Sequence, residues 1–217
     1  MNIEQARFNM IEQQIRPWDV LNPAVLELLA VVKREDFVPA AYKALAFVDT
    51  EVPLPGGQCM LAPKVEARLL QELAVHKHER VLEIGAGSGF MAALLAHRAQ
   101  HVTTLEIDAG LAAFARANLQ RAGIMNVLVS QADGAKAVPA DGPFDVIVLS
   151  GSVAEVPAAV LAQLKVGGRL VAIIGQEPVM RAVLVTRTGT QSIERSVLFD
   201  TVAPRLRGFD EPSRFQF

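Results

Sequence analysis

The chain has 217 residues, of which 51% are hydrophobic and 20% charged, with a formal net charge of −2. These proportions fit one globular domain, or one with a small appendage, and exclude an intrinsically disordered chain. With a sequence pI of about 6.1, the basic footprint of a nucleic-acid-binding domain is missing, so no nucleic-acid partner is expected.

Cys59 is the single cysteine. No intramolecular disulfide can form, which fits a reducing compartment. The start, Met1-Asn2-Ile3-Glu4-Gln5, is polar and acidic and lacks the basic start and apolar core of a signal peptide. No apolar run approaches the roughly 20 residues of a membrane helix; Leu26 to Val32 is broken by Glu27 and closed by Lys33. The expectation is a soluble cytoplasmic protein with no membrane partner.

Residues 2–40 read as two helices. Ala6, Met10 and Ile11 recur at helical spacing, then Val25, Leu28, Leu29 and Val32. Asn22-Pro23 makes an N-cap and first turn, and Pro39 closes the segment. Residues 47–63 carry Pro53, Pro55, Gly56, Gly57 and Pro63, which rule out a regular helix. A loop so rich in breakers, leading into an alternating section, is expected to line a site.

From residue 64 the pattern becomes β-α-β: a helix at 64–74, a strand at 80–84, a glycine run, a helix at 90–99 and a strand at 102–107. Asp108 caps a helix that runs to Ala122 and stops at Gly123. Strands follow at 126–131, 144–149 and 169–174, with a helix from Pro157 to near Gly167-Gly168. Residues 182–187 and 193–202, joined through Thr188-Gly189-Thr190, read as a closing antiparallel hairpin. The fold class is α/β: a doubly wound, mostly parallel sheet of Rossmann-like type, with N-terminal helices and a C-terminal antiparallel hairpin. Residues 1–63 form the N-terminal helices and substrate-side loop, and residues 64–217 the cofactor-binding core.

Glu83-Ile84-Gly85-Ala86-Gly87-Ser88-Gly89 lies between a strand and a helix. Glycine lets backbone approach a ligand closely, and the following helix aims its positive end at the loop. Two ligands compete for such a loop. A nicotinamide dinucleotide wants G-x-G-x-x-G around a pyrophosphate, but here the third glycine comes one residue early. Glu83, two positions before Gly85, would repel a pyrophosphate and attract the ammonium of a methionine moiety, which favours S-adenosylmethionine.

Glu106, with Ile107 after it, ends the next strand, where a carboxylate takes ribose hydroxyls. Asp133-Gly134 follows the third strand, where a carboxylate can accept from an adenine amine. The candidate cofactor residues are thus Glu83, Gly85, Gly87, Gly89, Glu106, Ile107, Asp133 and Gly134. The bland alternative for each acid is an ordinary cap or turn residue.

These residues resemble the protein-L-isoaspartate O-methyltransferase family over nearly the whole chain. Arg80 to Gly89 is similar to its cofactor loop, Pro143 to Val148 to its fourth strand, and Gln163 to Val171 to its lead into the fifth. Lys33-Arg34-Glu35-Asp36-Phe37-Val38-Pro39 and the segment Asp49…Leu54…Gly57-Gln58 resemble its N-terminal region, and these make the match specific. The resemblance implies methyl transfer from S-adenosylmethionine to the α-carboxylate of an L-isoaspartyl residue in a damaged protein or peptide. A carboxylate is ionised at neutral pH and needs alignment rather than a general base.

Where the family has Gly-Gln-Thr-Ile-Ser, this chain has Gly57-Gln58-Cys59-Met60-Leu61. Gln58, Cys59 and Leu61 are therefore the candidate acceptor-loop positions. The family's Thr-Ala-Ala after the fourth strand is Ser150-Gly151-Ser152, and its near-terminal Phe-Val-Pro-Leu is represented by the region Thr201 to Leu206.

Two other readings stay open: a methyltransferase for a small molecule with the N-terminal helices as a lid, and a cofactor-binding regulatory protein that has lost catalysis. No metal is expected, since His76 and His78 flank Lys77 on a turn, and His97 and His101 read as a helix end and a strand start. Cys59 reads as a passive small residue, Trp18 as packing, and Arg205, Arg207 and Arg214 as a solvated tail.

Overall fold

The computed structural model describes residues 2–211. Helix α1 (Ile3–Met10) is capped by Asn2, whose side chain accepts from the Gln5 N–H. A π-turn (Ile11–Ile15) and a 3₁₀ turn (Arg16–Trp18) extend it, so the first predicted helix widens and then tightens before it ends. Helix α2 (Pro23–Val31) begins as the Asn22-Pro23 pair foretells, with Asn22 Oδ1 accepting from the Ala24 N–H. Two more 3₁₀ segments follow at Arg34–Asp36 and Ala40–Leu45.

The breaker-rich stretch forms a minimal antiparallel ribbon, β1 (Val52–Pro53) against β2 (Cys59–Met60). Helix α3 (Pro63–Leu73) then leads into the alternating section: β3 (Arg80–Ile84), α4 (Phe90–Arg98), β4 (His101–Glu106), α5 (Ala109–Arg121) and β5 (Val127–Gln131). After these come β6 (Phe144–Val153), α6 (Ala158–Ala162), β7 (Leu164–Gln176), β8 (Val179–Arg187) and β9 (Ile193–Asp200). Seven strands make one sheet in the order β5-β4-β3-β6-β7-β8-β9; the first five are parallel, and β8 and β9 add antiparallel.

Alternation along the strands splits the core. Val81, Val146 and Val171 face a large cluster with α2, α3, α4 and α5, while Leu82, Ile147 and Leu170 face a smaller one with Val160 of α6 and residues near 206–209. Phe90 to Ala96 of α4 are buried on every side, which explains a helix with so little polar face. The sheet changes direction at β3, which pairs with β4 on one side and β6 on the other. Crevices outside the carboxyl ends of strands at such a point receive ligands.

Two boundaries differ most from expectation. The helix from Pro157 stops at Ala162, and residues 164–168 belong to β7, because Leu164 is fully buried and pairs with Phe144 while Lys165 reaches Asp145. The fourth predicted strand runs on to Val153 through a register shift after Val148.

Candidate active site

Each glycine of the loop after β3 takes positive φ: 95° at Gly85, 52° at Gly87 and 83° at Gly89. A Cβ on Gly85 would stand 2.7 Å from Leu206 Cδ2 and 3.6 Å from the Ser150 carbonyl oxygen. Bare backbone at this point lets the loop and the C-terminal segment share one crevice. The loop is braced by Gly85 N–H donating to the Leu105 carbonyl (2.8 Å), and by Asn118 Nδ2 donating to the Ser88 carbonyl (2.9 Å).

Glu106, at the end of β4, is buried. Its Oε2 accepts from Gly87 N–H (2.9 Å) and its Oε1 from Asp108 N–H (3.0 Å). An ionised carboxylate has about four lone-pair sites, so each oxygen keeps one for a ligand hydroxyl. Glu83 is fully buried, with Oε2 taking the Thr104 hydroxyl and Oε1 the Ser150 hydroxyl, both at 2.7 Å. Burial pushes its carboxyl up to about 8, against the pull of these two hydroxyls.

Two clefts meet here. One, about 460 Å³ including its open mouth, is lined by Gln58, Gly85, Glu106, Ile107, Gly134 and Arg207, among others. The other, about 270 Å³, is lined by Leu61, Glu66, Glu83, Ser88, Phe90 and Met91, among others. Cys59, Gly85, Gly87 and Ser150 border both. Gly89 lies deeper, as the N-cap of α4 packed on Ala115 of α5.

The structure thus gathers at the clefts every residue of the candidate set except Gly89 and Asp133. Asp133 Oδ1 accepts from the Ala135 N–H (3.0 Å), Lys136 lies 3.1 Å from Oδ2, and any side chain at Gly208 would run into the carboxylate. The carboxylate caps its own turn, and its neighbours Ala132 and Gly134 line the cleft instead. Gly134 is tight because a Cβ there would sit 2.3 Å from Ile84 Cγ2.

The acceptor loop is held from the N-terminal region. Arg34, 1% exposed, pairs with the buried Glu66 and donates to the Leu61 carbonyl (2.7 Å). Its guanidinium lies over the Phe90 ring, 5.0 Å from the centroid. Leu61 itself is buried. Cys59 is half-buried, and burial, then nearby Glu51, push its thiol up to about 12. It is not an activated nucleophile.

Sequence reasoning missed Ser150 and Glu66 as site residues, and misread part of the tail. Ser150 sits at the carboxyl end of the fourth strand's hydrophobic run, a position that could have flagged it. Ala203 to Leu206 pairs alongside Ser152, which donates to the Pro204 carbonyl (2.8 Å) and accepts from Leu206 N–H (2.9 Å). Arg205 therefore turns in to the Gly175 carbonyl (2.6 Å) and Glu211, and Arg207 reaches Asp108 (3.2 Å). Arg205 is anchored rather than solvated, whereas Arg207 stays exposed while touching Asp108; Arg214 lies outside the described residues. Trp18 packs edge-on against Phe199, with centroids 5.2 Å apart.

The family model described as Protein-L-isoaspartate(D-aspartate) O-methyltransferase (PCMT) matches residues 5–203. A protein-L-isoaspartate O-methyltransferase of Koribacter versatilis is 37% identical over 194 residues, covering 89% of this chain and 87% of its own. That of Rhodopseudomonas palustris (strain ATCC BAA-98 / CGA009) is 40% identical over 192 residues, with 88% of each chain covered. Among solved structures, a putative protein-L-isoaspartate O-methyltransferase from Plasmodium falciparum, in complex with S-adenosyl-L-homocysteine, superposes with a TM-score of 0.81. It is 20% identical and covers 95% of this chain and 99% of its own, a likeness of fold.

Proposed function

The chain belongs to the protein-L-isoaspartate(D-aspartate) O-methyltransferase family, and on that premise we propose that it methylates the α-carboxylate of L-isoaspartyl residues in damaged proteins and peptides. The observation that carries the reading is the extent of the match. Residues 5–203 take in the acceptor loop at 57–63 as well as the cofactor loop at 83–89.

The enzyme is a methyltransferase that uses S-adenosylmethionine, whose sulfonium supplies an electrophilic methyl group. The residues present suit that cofactor. Glu106 keeps lone pairs free for ribose hydroxyls, the Gly85–Gly89 backbone leaves room for close approach, and Glu83 is a buried acid with no cation beside it among the described residues. In this reading the Glu106 cleft takes the adenosine end and the Glu83 cleft the methionine end, with Ile107, Gly134 and Ala132 as walls. Asp133 contributes by holding its turn.

The acceptor is already an ionised nucleophile, so the protein's task is to orient it and keep water away. The Gln58 side chain lines the cleft beside Cys59 and makes no hydrogen bond among the described residues. It is the donor proposed for the acceptor carboxylate, in a loop where Cys59 and Leu61 replace hydroxyl residues. Leu61 and Met60 supply apolar cover. The free thiol of Cys59 suits a reducing compartment, so the cytoplasm is the proposed location. Among the described residues no helix is long and apolar enough to cross a membrane.

The test is incubation of the purified protein with labelled S-adenosylmethionine and an isoaspartyl peptide. A methyl ester on the peptide, released as methanol by mild alkali, supports the reading. Cofactor binding without ester formation on any isoaspartyl peptide would reject it.

A further inference from the structure

The buried carboxylates of this protein find partners in different ways. Glu35, Glu66 and Glu79 each hold an arginine, namely Arg7, Arg34 and Arg169. Glu106 accepts two backbone N–H groups. Among the described residues Glu83, with no exposed surface, is met only by the hydroxyls of Thr104 and Ser150.

A hydroxyl can donate or accept. The same two contacts therefore serve a neutral carboxylic acid, which would donate its own O–H to one of them. An ionised carboxylate buried without a cation is costly, and such a group takes up a proton instead.

The other groups around Glu83 do not relieve that cost. Strand β4 presents Thr104 and, further along, the acidic Glu106. The end of the β6 run presents Ser150. Helix α3 presents Glu66, paired with Arg34 but with its own carboxyl pushed up by burial, and helix α4 presents Phe90 and Met91. The acceptor loop presents Cys59, held as the neutral thiol. Glu66 and Glu106 both disfavour a further negative charge at Glu83.

We infer that Glu83 carries a proton in the cofactor-free protein and releases it to solvent when the ammonium group of S-adenosylmethionine arrives, so that binding is an exchange of proton for ammonium. The inference rests on the cofactor reading above. The O–H bond of the acid breaks, no other covalent bond changes, and the pocket passes from a neutral acid to a carboxylate–ammonium pair. The product S-adenosylhomocysteine has the same ammonium, so the proton returns only when the product leaves. Cofactor affinity then rises with pH up to the point at which Glu83 ionises unaided.

The experiment is calorimetric titration of the full chain with S-adenosylhomocysteine at pH 7, in phosphate and in Tris, whose ionisation enthalpies differ. With Glu83 held at about 8, release of about 0.9 proton per ligand is expected. Affinity should rise about ninefold from pH 6 to pH 7 and level off by pH 8.5. Glu83→Gln should abolish both the proton release and the pH dependence.

The wild-type measurement stands even if that variant fails to fold. Tight binding with the same heat in both buffers would overturn the exchange while leaving the cofactor reading intact. Absence of binding by either S-adenosylhomocysteine or S-adenosylmethionine at every pH would overturn the cofactor reading itself.

Discussion

Replacing Gly85 with alanine separates the strain of the glycine loop from its role against a ligand. At φ 95° the alanine pays a left-handed backbone cost of about 1–2 kcal/mol. Its Cβ would also meet Leu206 Cδ2 at 2.7 Å, well inside van der Waals contact. Displacing Leu206 from its seat adds roughly 1–3 kcal/mol of overpacking. The sum, about 2–5 kcal/mol, corresponds to a fall in Tm of roughly 5–15 °C for a domain of this size.

Gly123→Ala is the control. Its φ is also positive, at 70°, but no described residue lies within 4 Å of the added Cβ, so only the strain of about 1–2 kcal/mol applies. Thermal denaturation gives the stability difference, and calorimetry with S-adenosylhomocysteine gives the affinity. Gly85→Ala should weaken the ligand at least tenfold, and Gly123→Ala should leave it unchanged. Wild-type affinity in Gly85→Ala would refute the assignment of this crevice to the cofactor.

Arg34→Met leaves Glu66 buried without its cation and should cost about 3–5 kcal/mol in urea denaturation, most of it recovered in Arg34→Met/Glu66→Leu. No recovery in the double variant would mean that Arg34 acts through Leu61 and Phe90 rather than through Glu66. Because the folded-state value of Glu83 lies above its ordinary 4.5, its contribution to stability is full below that value and is lost as pH rises through about 8. The cofactor-free protein should therefore lose about 1 kcal/mol between pH 7 and pH 8, a loss absent from Glu83→Gln, as denaturant midpoints would reveal. Cys59, with its thiol pushed up to about 12, should react with a disulfide reagent at pH 8 at least about a hundredfold more slowly in the native than in the unfolded protein. Comparable rates would show that the thiol is exposed or activated.

Much of this architecture was legible from local pattern because local causes decide it. Asn22 before Pro23, Asp108 before an alanine-rich run and Gly123 after it mark helix ends by capping chemistry, and all three hold. Apolar runs such as Val146 to Leu149 mark strands covered on both faces. The crevice proposed for the cofactor was legible in part for a related reason: Glu83 and Glu106, at the ends of neighbouring parallel strands, both line the clefts.

What escaped was decided by distant partners. Lys165 is drawn into a strand by Asp145, twenty residues earlier, and Arg205 is anchored by the Gly175 carbonyl. Glu66 looks in sequence like a surface helix residue. Only the approach of Arg34, thirty-two positions away, makes its burial tolerable. Asp133 lies near the expected place, but its side chain is held by its own turn.

The most direct test of the account is methyl transfer from S-adenosylmethionine to an isoaspartyl peptide, measured beside its normal aspartyl twin. The account predicts ester formation on the isoaspartyl peptide alone, with Gln58 and the backbone serving where Cys59 and Leu61 have replaced hydroxyls. Equal methylation of both peptides, or of neither while the cofactor binds, would contradict it.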